Sequence, residues 1–334
     1  MRHSGLMLAK TVDMIAFDLF NRHCHALPRG IRRPVQAQQR SRGAAALMNI
    51  DAARTIADTV LCAGPVLRPY RAAGHRDPSR WQFGVLMPAD IAAANESLSA
   101  TAQTECLVEA RDGFRLCVLL RFLQVQRRVV YRWLPERGRF KPVGSLDVDG
   151  GPLASCDEAV EHEILFEVDD ATLRGSPARH TVRVPGGFDR TELHDARGTL
   201  VGQVVRHRRP LCAMVNVSAQ PVLAARPARR LRVWVENRTR AGADGDEVAL
   251  TTALVASHLI LSIDGGSFVS MVDPPGWAAE AVESCANVGL WPVLAGPPGR
   301  QDTLLATPRI LRDHPGDLLD TTVDELLQLR NLAG

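Results

Sequence analysis

The chain has 334 residues and a formal net charge of +3, from 40 Lys and Arg against 37 Asp and Glu. That near-balance provides no overall field for nucleic acid, and 46% hydrophobic residues suffice for one large domain or two ordinary ones. Seven cysteines with no Cys-x-x-Cys spacing argue against a disulfide framework and for a reducing, cytoplasmic setting. No segment reaches membrane-spanning length, so no membrane insertion is expected.

Residues 1–47 contain His23-Cys24-His25 and a non-periodic Arg-, Gln- and Ala-rich stretch that cannot bury enough apolar surface to offset its ordering entropy. They are expected to be a disordered arm or a mis-assigned start, with the ordered domain beginning near Met48. From Asp51, a plausible cap, Ala53, Ile56, Ala57, Val60 and Leu61 share one helical face, and Gly64-Pro65 closes the run. The next stretch carries Tyr70, Arg71, Arg80, Trp81 and Phe83 in a loop-like setting. Rings and guanidinium groups outside regular structure are what a recognition surface uses. A short helical patch follows near residues 89–100.

The middle of the chain is strand-like. Residues 115–126 are apolar on both faces, as a doubly covered strand would be, and 129–133 is expected to be its neighbour. Runs at 164–168, 181–184, 211–219 and 231–235 extend the pattern to an antiparallel sheet or sandwich. After AGADGDE (241–247), residues 248–257 are expected to be helical. Two strands flanking Asp264-Gly265-Gly266 suggest a hairpin. Another strand falls near 304–311, interrupted by Pro308, and a capping box at Thr322–Glu325 opens a final helix. The expected fold class is α+β: a sandwich-like antiparallel core with an N-terminal helix over 48–240, and a mixed α/β region over 241–334 packing on it.

The candidate chemistry is sparse. His23-Cys24-His25 lacks the further ligands of a zinc site, and no metal or cofactor is expected. Glu161, His162 and Glu163 are chain neighbours that point to different faces and cannot all converge on one ion. Glu192, His194 and Asp195 could supply a general base, but no nucleophile is assignable beside them. The acidic 241–247 loop lacks calcium-loop spacing, and no dinucleotide or Walker fingerprint occurs. Arginine clusters at 127–128, 206–209 and 229–230 would suit a single strand if exposed rings were interleaved with them. The rings nearby fall in apolar strands, so nucleic acid is disfavoured. Two surface candidates remain: Tyr70–Phe83, and Trp277 behind Asp273-Pro274-Pro275-Gly276, with Trp291-Pro292 further on.

The combination of DAARTIADTVL, RPYR, RWQFGVLMP, TECLV, the VSA and WVENRT strands, FVSMVDPP, GLWPVL and TTVDELLQLR resembles an uncharacterised family associated with gene clusters for high-affinity uptake [NiFe] hydrogenases. The resemblance runs from about Met48 to the C-terminus and carries no catalytic motif. It implies a cytosolic accessory protein, a non-catalytic binding or assembly factor whose partner is a hydrogenase subunit or maturation protein. Two other readings stand beside it. One is a cytosolic enzyme using His194 and Asp195 or the acidic loop, and the other is an RNA-binding accessory using the arginine clusters.

Overall fold

The structure, a computed structural model, describes residues 50–58, 84–148, 151–240 and 250–315. Helix α1 spans 50–58 and buries Ile50, Ala53, Ile56 and Ala57 on one face, as the i, i+3, i+4 spacing requires. Asp51 lies within the helix rather than capping it, and its carboxylate accepts from Arg54 Nη1 at 2.6 Å. Val60 and Leu61, the 241–247 loop and the C-terminal helix expected at Thr322 lie outside the described residues. A second helix, α2 (Ala89–Ala93), leads into the strands.

The next element, β1 (Thr101–Leu134), is 34 residues long and organises everything else. It absorbs both 115–126 and 129–133, which are one continuous strand rather than neighbours. Its partners are β2 (Arg139–Val143), β5 (Cys156–Asp169), β8 (Leu200–Arg208), β10 (Ala228–Asn237) and β11 (Val255–Phe268). Because β5 and β11 both pair with residues 115–123, they occupy opposite edges of β1. The same argument places β10 and β2 on the β5 edge and β8 on the β11 edge. Further strands extend these: β6 (Ala178–Val184) and β9 (Leu211–Val222) beyond β10, β7 (Gly187–His194) beyond β8, and β12 (Trp291–Leu294) and β13 (Thr303–Thr307) beyond β11. A separate hairpin comprises β3 (Ser145–Val148) and β4 (Gly151–Ala154).

These strands form one 11-stranded antiparallel sheet, curled into a half-barrel, instead of a two-sheet sandwich. Ala102, Cys106, Val108, Phe114, Leu116, Val118, Leu120 and Phe122 of β1 line the main core with Val182, Val215, Val233 and Leu261. On the opposite face Cys117, Leu119 and Val125 pack beneath α1. The curl brings β5 against β6, which are not hydrogen-bonded neighbours: Phe166 and His180 stack at 4.5 Å with their planes 7° apart. Of the C-terminal strands, β11 pairs directly with β1 and in turn carries β13 and β12, so the described residues beyond 250 continue the same sheet.

Two expectations for this C-terminal part fail. Residues 250–252 form a single 3-10 turn and strand β11 starts at Val255, where a helix was expected. Asp264-Gly265-Gly266 is not a hairpin, because β11 runs straight through it. The glycines answer a different need. Between the pairs Ala110–Gly266 and Arg115–Asp264, residues 111–114 of β1 face the single Gly265, and Gly113 and Gly265 both adopt φ 83°. Glycine takes that backbone without the Cβ penalty, and such a bulge bends the sheet.

The bend is held by Asp170, the first residue of helix α3 (Asp170–Gly175). Its buried carboxylate accepts from Gly113 N at 2.9 Å, from Arg174 Nη2 at 2.7 Å and from Arg229 of β10. The Arg174 hydrogen bond is the largest cause holding this carboxyl well below the usual carboxylate range; Gly113 and Arg229 add to it. Asp170→Ala leaves Arg229 without its buried partner and is expected to cost roughly 3 kcal/mol in urea unfolding. A change under about 0.5 kcal/mol, the size expected of an ordinary surface position, would remove the clamp from the account.

Candidate functional site

Tyr70, Arg71, Arg80, Trp81 and Phe83 lie outside the described residues, but the chain is fixed on either side of them. At one flank, the Asp58 carboxylate accepts from Arg121 Nη2 at 2.8 Å. At the other, Ser257 N donates to Gly84 O at 2.9 Å, and Leu86 exchanges a pair of backbone hydrogen bonds with Leu254. Gly84 has φ 60°, and a Cβ there would stand 2.7 Å from Ser257 O, so only glycine fits. Arg121 and His258 face each other across β1 and β11. Asp58 and Gly84 are therefore fastened to the same patch of sheet.

That patch is built around Arg121, whose side chain is 5% exposed. Glu161 and Glu163, two apart on β5, project to its face because strand side chains alternate. Nη2 donates to Asp58 and Glu161, while Nε lies 3.0 Å from Glu163 Oε1 off hydrogen-bond geometry. Arg54 of α1 reaches the other Glu163 oxygen at 3.1 Å. Burial pulls the Arg121 guanidinium down, but Asp58, Glu161 and Glu163 outweigh it and the net shift is upward. The cation is therefore permanent and ties α1, β1 and β5 together.

His258 completes the patch from below. Its Nδ1 donates to Ala256 O at 2.8 Å, which leaves Nε2 to accept from Arg121 Nη1 at 3.4 Å. Burial, reinforced by the Arg121 charge, pushes its pKa down to about 3, so the ring is neutral. Ala256 itself sits at φ 52°, a left-handed conformation costing about 1 kcal/mol in a non-glycine residue. The arrangement can hold a segment in place. His258 has both nitrogens engaged and is not set up to move a proton.

Trp277, the other surface candidate, is half-buried. It rests on Leu107, Val269, Ala278 and Ala281, with the Arg226 guanidinium 5.5 Å from its ring centroid. Ala278 N donates to Pro275 O at 2.8 Å, closing the proline turn ahead of helix α4 (Ala279–Glu283). The segment after α4 is anchored by Glu105, 1% exposed, which accepts from Ala286 N at 2.8 Å and Arg232 Nε at 2.5 Å. Trp277 thus caps a small cluster near Leu107, further along β1 from Arg121, and the described residues do not join the two candidates into one site. Trp291 is half-buried at the start of β12.

The remaining sequence candidates resolve into structure. His162 faces away from Glu161 and Glu163 and donates from Nε2 to Gln124 Oε1 at 2.9 Å; burial lowers its pKa to about 4. Asp195 Oδ1 accepts from Arg197 N and Thr199 N, which commits it to the turn, and His194 lies 3.8 Å from Glu192. Arg128 and Arg206 share Glu158, Arg208 pairs with Asp189 and Arg229 with Asp170. Burial raises the Cys106 and Cys117 thiols, the latter to about 11. Among the described residues, no group of three or more His, Cys, Asp or Glu is placed to hold a metal. No helix among them is long and apolar enough to cross a membrane. Compared with known proteins, the chain matches no family model and no curated relative.

Sequence reasoning missed Arg121 and His258, although the period of two that separates Glu161 from Glu163 already placed both carboxylates on one face. The two neutral histidines set a pH dependence. The unfolded chain binds a proton at each near pH 6.5, whereas the folded chain resists until about pH 3 and about pH 4. Stability therefore rises with pH across that window, by about 1.4 kcal/mol per unit for each histidine. Urea unfolding at pH 7.5 and pH 5 should show the loss at the lower pH, and His258→Gln should shrink it. An equal loss in wild type and variant would refute the assignment.

Proposed function

We propose that this chain is a cytoplasmic, non-catalytic binding or assembly factor that presents residues 59–83 to a protein partner. The observation that carries this reading is the fastening of the two residues that flank that segment. Asp58 is locked to Arg121 on one side and Gly84 to Ser257 on the other. Recognition residues are commonly carried by connecting segments positioned on a rigid scaffold, and Tyr, Trp and Arg are the side chains that dominate binding energies. Tyr70, Arg71, Arg80, Trp81 and Phe83 supply that chemistry between the two anchors. Trp277 belongs to the same class of side chain, but its packing on the Leu107 cluster makes it the lesser contributor.

The resemblance of the chain from Met48 onward supports a partner from [NiFe] hydrogenase biogenesis, either a hydrogenase subunit or a maturation protein. Buried thiols such as Cys106 and Cys117 suit the reducing cytoplasm that this partner implies. The test is capture of partners by the tagged full chain from its native host, identified by mass spectrometry. Hydrogenase subunits or maturation proteins should be enriched over a tag-only control. The Arg80→Ala, Trp81→Ala double variant should lose most of that enrichment with its thermal midpoint nearly unchanged. Undiminished capture by the double variant would sink the segment's role, and a collapsed midpoint would show that it packs on the core instead.

A further inference from the structure

Beyond Gln126, strand β1 leaves the main core and forms an arm in the order β2-β1-β8-β7. The arm ends on β7, whose only strand partner among the described residues is β8. The other outer strands of the sheet are less open. Strand β2 carries Pro142, which lacks a backbone donor. The backbone of Leu294 in β12 is taken by Asp313 and His314, and β5 and β6 turn toward each other at Phe166 and His180. In β7, by contrast, Phe188, Asp189, Arg190, Thr191 and Glu192 are all exposed. The outer edge of such a strand presents a row of backbone donors and acceptors to another chain.

Charged side chains on an edge usually keep other strands away, and β7 has three: Asp189, Arg190 and Glu192. Asp189 is matched within the chain by Arg208 of β8 at 2.6 Å. The other two are not. Arg190 makes no ion pair among the described residues and stands 5.8 Å from the Phe188 ring centroid, while Glu192 reaches only His194, at 3.8 Å. They are opposite in sign and two apart, so they share one face of the strand. A strand that meets its own copy about a two-fold axis pairs residues of one parity, because backbone groups point alternately to the two edges. The axis therefore passes through a single residue. Centred on Asp189, Arg190 or Glu192, it would set like charges face to face, which is destabilising. Centred on Thr191, it sets Arg190 opposite the partner's Glu192 twice and Thr191 opposite the partner's Thr191. Opposite charges and threonine pairs are among the cross-strand contacts that stabilise a sheet.

We propose that β7 is a homodimer edge: two copies of this chain pair antiparallel from Asp189 to Leu193 about an axis at Thr191, joining their sheets into one, independently of the 59–83 segment. What selects a second copy over a strand of another protein is the self-complementary order of Arg190 and Glu192. The register shift between Leu193 and His194 ends the pairing on one side. At each end Phe188, 59% exposed in the single chain, comes beside the partner's His194. Asp189 faces the partner's Leu193, and Arg208 keeps it from standing there as an unmatched charge. With one strand from each copy the interface is small, so the dimer is of the weak, concentration-dependent class.

The test is sedimentation velocity of the full chain over a rising concentration series at low salt, with unfolding midpoints measured beside it. The wild type should pass from monomer to dimer. Arg190→Glu and Glu192→Arg, each alone, should weaken self-association by roughly tenfold or more, since each sets like charges opposite one another twice. Mixed together, the two variants should dimerise with each other, and the double variant should associate with itself again. Because both positions are exposed, the midpoints should hold. Thr191→Cys should form an interchain disulfide on mild oxidation, beyond any formed by the wild type. Opposed residues of an antiparallel pair stand about 4.5–5.5 Å apart at Cα, within the span of that bridge. A monomer at every concentration would overturn the proposal and leave the edge to a strand of another protein. So would a dimer that both single variants leave intact, or failure of the mixture and the double variant to restore association with their midpoints unchanged.

Discussion

The length of β1 is the constraint from which the rest follows. A strand of 34 residues exposes two long rows of backbone donors and acceptors, and buried groups of that kind must be paired. No single partner is long enough. The edges are shared instead, β10, β5 and β2 along one and β11 and β8 along the other. Each change of partner is an opportunity to change direction. The sheet bends where β10 gives way to β5, at Gly113, and it leaves the core as an open arm where β11 gives way to β8.

Charge is buried at the points where this scheme needs fastening. Asp170 at the bend, Glu105 beneath the segment after α4 and Arg121 under α1 are each almost wholly removed from water. An isolated buried charge is costly, and all three are surrounded by partners of opposite sign, so their geometry is over-determined. The hydrophobic core would tolerate sliding of one apolar strand past another. These ion pairs do not, since a slip of one residue would turn Glu161 and Glu163 to the wrong face of β5.

The sequence announced the antiparallel character well because alternation at 211–219 and 231–235 is a local signal. The extent of β1 was less legible: Arg127-Arg128 looked like a break, and only their pairing with Asp157 and Glu158 shows how a strand carries them. Asp264-Gly265-Gly266 misled because glycine serves a bulge as readily as a turn, and what decides is a partner far away in the chain. The segment 248–257 was mistaken for a helix since a doubly buried strand start, Val255 to Leu259, has no alternation to betray it. At the candidate site, the rings and arginines of 59–83 were readable, but the anchorage of the flanking Asp58 on Arg121 was not. A single arginine inside an apolar run gives no sign of whether it is buried or at an edge.

The distance along the chain between β1 and its partner β11 has a consequence for synthesis. Arg121 and His258 meet across 137 positions. As the chain leaves the ribosome, β1 is complete while the strand that will cover its edge has yet to be made. For that interval a long apolar edge stands open to any other extended chain, which is the circumstance in which sheets aggregate or swap strands. Native pairing of such non-local strands is also slow. Arg127 and Arg128, set in the same strand beyond the apolar stretch, give the waiting edge a charged end that discourages a second copy from adding in register.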